Sequence, residues 1–169
     1  MFNLLDAIYE YQLLIRKNRD MNIPLTEVEK ARLVGLAQLL RGEYAHGSSG
    51  TRSVRMGRRV PVHFTVPGGF ASGKLRNISP GGVAITTPHA VLKGSRTVLR
   101  VAEPRRGMEY TFPGRIVWTG AGKADSADPR VVGIAFDGTP TRSAFLVPEV
   151  GSWHPDVRFG EPPGTPMVA

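Results

Sequence analysis

Apolar positions in the first forty residues recur at helical spacing. Leu4, Leu5, Ile8, Tyr11, Gln12 and Ile15 fall on one stripe, and Asn3 followed by Asp6 has the form of a capped helix start. The stripe fades in the polar run Lys17 to Asp20, and Asn22-Ile23-Pro24 reads as a connector. Thr26 and Glu29 then form a capping box, in which the hydroxyl and the carboxylate satisfy each other's backbone N–H. Leu33, Leu36, Ala37 and Leu40 supply a second stripe, which Gly42 stops. Residues 1–43 are therefore expected to form an antiparallel helical hairpin. Its stripe must be buried on itself, on the rest of the chain or on a second copy, so a homodimer through these helices is one expectation.

Residues 44–51 are a small polar linker, and from Val60 the period changes to two. Val60, Val62, Phe64 and Val66 share one face; Pro61, His63 and Thr65 share the other. Pro67-Gly68-Gly69 turns the chain toward Ala71, Gly73 and Leu75, and Val83 and Ile85 follow the next turn. Thr97, Leu99 and Val101 alternate before the turn Glu103 to Gly107. Met108, Tyr110 and Phe112 alternate after it, Pro113-Gly114 interrupts, and Arg115 to Trp118 continues. Val132, Ile134 and Phe136 make the last strand. Short strands with regular turn signals predict a small antiparallel barrel over residues 52–140. Residues 141–147 read as one or two helical turns, and the remainder of 141–169 is a Pro/Gly-rich tail in which Trp153 is a possible anchor.

Charge sharpens this picture. The net charge is +8, but residues 1–43 balance, residues 103–169 carry −1, and residues 44–102 carry +9 with no carboxylate. An acid-free block of that size invites an anion. The chain has no cysteine, which excludes disulfides, thiolate metal sites and cysteine catalysis. Asp6 and Glu10 interrupt the N-terminus where a signal peptide would be basic and then apolar, and no apolar run reaches membrane length. A cytoplasmic protein is expected. His46, His63, His89 and His154 are scattered without metal spacing, Asp125 and Asp128 sit beside Lys123 and Arg130, and no nucleophile elbow or phosphate loop appears. An enzyme is not expected, nor any metal or cofactor.

Within the basic block two motifs carry chemistry. Arg55 and Arg59 stand four apart at the end of the linker, with Arg52 and Arg58 beside them. Guanidinium is planar and permanently charged, and it grips phosphate or the O6/N7 edge of guanine with paired hydrogen bonds. The turn Asn77-Ile78-Ser79-Pro80-Gly81-Gly82 places an amide and a hydroxyl two apart at a strand end. Its glycines allow φ > 0 and close approach of a ligand to the backbone. An Asx-type turn closing a hairpin accounts for the same residues without a ligand.

In order and spacing the two motifs resemble those of the PilZ family, the bacterial receptor module for cyclic di-GMP: R-x-x-x-R before the first barrel strand and (D/N)-x-S-x-x-G later on the barrel. The segments GRIVWTG and RVVGIAFDG are also similar to the family's closing strands. The resemblance spans about residues 52–140, and neither motif departs from the pattern. It implies a mainly β fold, a six-stranded antiparallel barrel, here preceded by the helical hairpin. It further implies that Arg55 and Arg59 clamp cyclic di-GMP while Asn77, Ser79 and Gly82 contact a guanine. Arg58, Arg52 and Gly81 are secondary candidates. Binding would order the arginine loop and draw the hairpin toward the barrel, which changes contact with a downstream protein partner that the sequence does not name.

Two other classes compete. A ligand-independent adapter would use the hairpin and leave both motifs idle. A barrel binding single-stranded nucleic acid needs aromatic platforms among its basic groups. The basic block offers only Tyr44, Phe64 and Phe70, and Phe64 alternates with core valines, so nucleic acid is not expected.

Overall fold

The side chain of Asn3 starts the first helix by accepting hydrogen bonds from the N–H groups of Leu5 (2.9 Å) and Asp6 (3.3 Å). The computed structural model describes residues 3–42, 54, 55, 60–122 and 130–144. Helix α1 spans Leu4–Arg19 and α2 spans Glu27–Gly42. The capping box forms as expected: Thr26 N–H donates to Glu29 Oε2 at 2.9 Å and Glu29 N–H to Thr26 Oγ1 at 3.3 Å. The helices run antiparallel, joined by Arg32 bidentate on Glu10 (2.8 Å each) and Lys17 on Glu29 (2.5 Å).

Eight strands follow among the described residues: β1 Val54–Arg55, β2 Pro61–Val66, β3 Gly69–Ser79, β4 Gly82–Thr87, β5 Arg96–Glu103, β6 Met108–Ala121, β7 Arg130–Phe136 and β8 Thr141–Ala144. All pairings are antiparallel. Six of them close a ring in the order β3-β2-β5-β6-β7-β4, with β4 returning to β3. The barrel expected from the alternating pattern is therefore present, and its interior is the expected set. Val62, Phe64, Leu75, Ile85, Leu99, Val101, Tyr110, Phe112, Val132 and Ile134 are almost wholly buried. Closure removes the long exposed edges that a six-stranded open sheet would present.

The ends of β3, β5 and β7 and the starts of β4 and β6 meet at one mouth of the barrel, and α1 lies across it. Ile8 is fully buried, and the buried apolar residues of both helices join the barrel interior in one cluster. Tyr9 meets Tyr110 edge-on at 6.2 Å between ring centroids, and Phe112 stacks on Phe136 at 4.7 Å. Asp6 reinforces the seat. Its carboxylate accepts from Tyr110 Oη at 2.7 Å, from Arg142 Nη1 at 2.7 Å and from Arg106. The hairpin stripe is thus buried on itself and on the barrel.

Two expectations need correction. The helical turns read into residues 141–147 are replaced over Thr141–Ala144 by β8, which pairs with Met108 to Thr111 of β6. The cause is length: β6 runs 14 residues and outlasts β7, which leaves a strip of unpaired backbone that β8 satisfies. The expected interruption at Pro113-Gly114 is also absent, because β6 passes straight through both residues. Gly114 is required there, since a Cβ would lie 2.6 Å from the carbonyl oxygen of Ala135.

Candidate functional site

Strand β3 carries the amide-hydroxyl motif, and a bulge decides which way that motif faces. Ala71, Gly73 and Leu75 point inward, so unbroken alternation would also send Asn77 and Ser79 into the core. Between Leu75 and Asn77 the register with β4 slips by one residue. Ile78 then turns inward, and Asn77 and Ser79 reach the outer surface. The extra residue, Arg76, is exposed.

Asn77 Oδ1 accepts from Ala84 N–H at 3.2 Å, and Ser79 Oγ donates to the Gly82 carbonyl at 3.1 Å. Both motif side chains thus brace the β3–β4 turn. The amide hydrogens of Asn77 make no bond to another described residue. The glycines serve a different purpose from the one expected, since neither Gly81 nor Gly82 has a positive φ. Gly82 is needed because β7 passes close: a Cβ would sit 2.3 Å from the Ile134 carbonyl oxygen. Gly81 faces open space.

The first motif meets the second through the backbone. In the pairing of β1 with β3, Val54 opposes Ile78 and Arg55 opposes Asn77. Val60 then resumes contact with the same edge of β3, where its carbonyl accepts from Leu75 N–H at 2.8 Å. Arg52, Arg58 and Arg59 lie outside the described residues. Arg76 stands between Leu75 and Asn77, the residues that pair with Val60 and Arg55, and its guanidinium forms no ion pair or hydrogen bond with another described residue. Its number was visible in the acid-free block, but only the bulge gives it this position.

Across the barrel the register continues from Asn77 to Ala84, from Ala84 to Gly133 and from Gly133 to Trp118. Trp118 is 45% exposed, and its indole lies over Gly133, whose missing Cβ makes room for the ring. Asn77 and an aromatic edge therefore flank a floor of small residues. Sequence reasoning assigned Trp118 to a continuing strand at core spacing, since alternation with Phe112 and Ile116 would send it inward; the register shift between Ile116 and Trp118 turns it outward instead.

The turn is also held from below. Gln12 of α1 donates its Nε2 to the Pro80 carbonyl, and Arg16 Nη2 donates to the Phe136 carbonyl at 2.8 Å. Phe136 N–H in turn donates to the Gly81 carbonyl at 2.9 Å.

Two grooves lie away from the turn. One groove of about 500 Å³ runs between α1, α2 and Arg106. Another of about 510 Å³ lies at the far end of the barrel, lined by Ala90, Thr119 and Arg130 among others. Neither contains a motif residue. Asn77 and Ser79 lie on the outer surface of the barrel. On β2, burial and the neighbouring Arg100 lower the pKa of His63 and favour its neutral form. No cluster of three metal-ligating side chains occurs among the described residues, and no helix among them is long and apolar enough to cross a membrane.

Comparison with known proteins bears on these motifs. The family model for the PilZ domain matches residues 51–146, more than half of the chain. A search among curated proteins returned no match. Among solved structures the chain is similar to the inhibitor of motility MotI/DgrA of Bacillus subtilis, at 14% identity and a TM-score of 0.44. That likeness covers 54% of this chain and 44% of the Bacillus chain, so this chain spans less than half of that protein's length. It is also similar to the PilZ domain of YcgR from Escherichia coli, solved with c-di-GMP, at 14% identity, a TM-score of 0.42 and coverage of 50% and 72%. The PilZ domain of CeSA from a cellulose-synthesizing bacterium gives 22% identity, a TM-score of 0.36 and coverage of 51% and 83%.

Proposed function

The chain belongs to the PilZ family, and from that premise we propose that it is a receptor for cyclic di-GMP. The observation that carries the reading is the register of Arg55 against Asn77, which joins the arginine segment to the amide-hydroxyl turn. Cyclic di-GMP presents two phosphates and two guanines. In this reading Arg55 and Arg59 clamp phosphate and guanine from the covering segment, with Arg52 and Arg58 as further contacts. Asn77 offers its amide hydrogens to a guanine from the barrel, Ser79, Gly81 and Gly82 shape the approach, and Trp118 bounds the base at the far side. The acid-free composition of residues 44–102 adds long-range attraction for a dianion.

Binding orders the arginine segment, and the change reaches a partner protein. The hairpin is already part of the core, so it is not recruited from a distance; ordering acts instead on surfaces next to the turn. A ligand-independent adapter has one observation in its favour, the use of Asn77 Oδ1 and Ser79 Oγ within the turn itself.

Calorimetric titration with cyclic di-GMP, with cyclic di-AMP and GTP as controls, separates the two. Wild type is expected to bind cyclic di-GMP selectively. Arg59→Ala removes a charge-assisted contact of roughly 1.5–3 kcal/mol and weakens binding about 10- to 150-fold. A folded wild type that binds none of the three would overturn the receptor reading and leave the adapter.

A further inference from the structure

We propose that Gln12 and Arg16 of α1 are positioning residues for the ligand turn, so that ligand binding there and the seating of α1 are thermodynamically linked. The inference rests on the receptor reading above and adds its means of transmission.

Gln12 is only 6% exposed, in the middle of an apolar helix face. It uses only one of its two polar atoms: Nε2 donates to the Pro80 carbonyl, while Oε1 is buried and makes no bond to a described residue. A buried orphan acceptor is costly, and an apolar side chain of the same length would fill the site without that cost. Packing does not explain a glutamine here. What the glutamine does uniquely is hold a carbonyl of the turn Asn77 to Gly82 from an element 68 positions away in sequence.

Arg16, one helical turn on, completes a circuit. It holds the Phe136 carbonyl, and the Phe136 N–H holds the Gly81 carbonyl. Consecutive carbonyls of the turn are thus fixed, one by α1 directly and the next through β7. Arg16 Nε is likewise buried and makes no bond to a described residue. The two orphans are an acceptor and a donor four residues apart on one helix, a spacing at which side chains meet. A ligand that shifts Pro80 frees Gln12 to pair with Arg16, which gives α1 a second arrangement of its polar groups. Two discrete arrangements biased from one site are what coupling requires.

The test uses the full chain, cyclic di-GMP, and Gln12→Met, which keeps side-chain length and removes both polar atoms. Calorimetry and hydrogen exchange are measured on wild type and variant. In wild type, cyclic di-GMP should change exchange in residues 8–16 of α1 as well as in the arginine segment. In Gln12→Met, affinity should fall about 3- to 10-fold and the α1 response should vanish, while the melting temperature stays within a few degrees. A merely structural glutamine would move the melting temperature and leave the α1 response in place. Gln12→Asn, which shortens the reach to Pro80 and keeps an amide, supplies the same readouts if the methionine variant does not fold. Unchanged affinity and exchange in a variant, or a wild-type α1 that ignores bound ligand, overturns the linkage and leaves the receptor standing. A wild type that binds no cyclic di-GMP overturns both, and calorimetry shows this before any variant is made.

Discussion

At the scale of single residues, the adjacent glycines of the turn separate fold from function. Gly82 sits where a methyl group would be 2.3 Å from the Ile134 carbonyl oxygen, against backbone that cannot step aside. Gly82→Ala should destabilise the protein by roughly 1–3 kcal/mol, the scale of overpacking, in denaturant unfolding. Gly81 has open space around it and no positive φ, so Gly81→Ala should stay within about 0.5 kcal/mol of wild type. If Gly81→Ala is stable and still loses ligand affinity, the open space over Gly81 is ligand space; unchanged affinity removes Gly81 from the site. Arg76 is argued by the same logic. It stands between the anchors at Leu75 and Asn77 without an acidic partner among the described residues. Arg76→Ala should weaken cyclic di-GMP binding by about 3- to 30-fold and flatten its salt dependence, with stability unchanged. A titration indistinguishable from wild type would leave Arg76 a solvated bulge residue.

At the scale of elements, the clasp between α1 and the barrel predicts a pH effect. Burial disfavours charge on Asp6, but hydrogen bonds from Tyr110, Arg142 and Arg106 outweigh it and hold the carboxyl below its ordinary 3.8. A depressed carboxylate contributes stability that is complete above the unfolded value and is lost as pH falls through the folded one. Melting temperatures of wild type and Asp6→Asn should therefore be furthest apart at neutral pH and converge below pH 3.8. A gap that stays constant down to pH 3 would mean the charge of Asp6 is irrelevant to the clasp. The elements themselves were largely legible in sequence, because caps and alternation act locally. Asn3, the Thr26–Glu29 box and the Val62–Phe64 alternation all behave as their side chains dictate. The failures were non-local. Nothing in TRSA announces a strand, since β8 exists only because β6 has an unpaired edge to fill. Nothing in KLRNIS announces the bulge at Arg76 that turns Asn77 outward. The same limit applies to the candidate site, whose residue types were readable although their joint placement depends on pairing between strands.

At the scale of the whole molecule, the hairpin and barrel share one hydrophobic core, although the composition suggests a boundary in the linker 44–51. The reason is that α1 is one wall of the barrel core: Ile8 is fully buried, and Leu5, Leu36 and Leu40 share a cluster with Phe64 and Tyr110. Separating them would expose the mouth of the barrel and strip Asp6, Gln12 and Arg16 of their partners. One unfolding transition is therefore expected, and the chain carries its own reporters for it. Both tryptophans, Trp118 and Trp153, lie outside the hairpin, whereas both described α-helices lie within it. Fluorescence of Trp118, read in a Trp153→Phe variant, thus follows the barrel, and the circular dichroism band at about 222 nm chiefly follows the helices. In urea the two curves should coincide in midpoint and slope, the behaviour of a two-state domain. Helix signal lost at lower urea than fluorescence would make the hairpin a separable lid. In that event, ligand coupling through Gln12 would run through undocking of α1 rather than through a rearrangement within a single core.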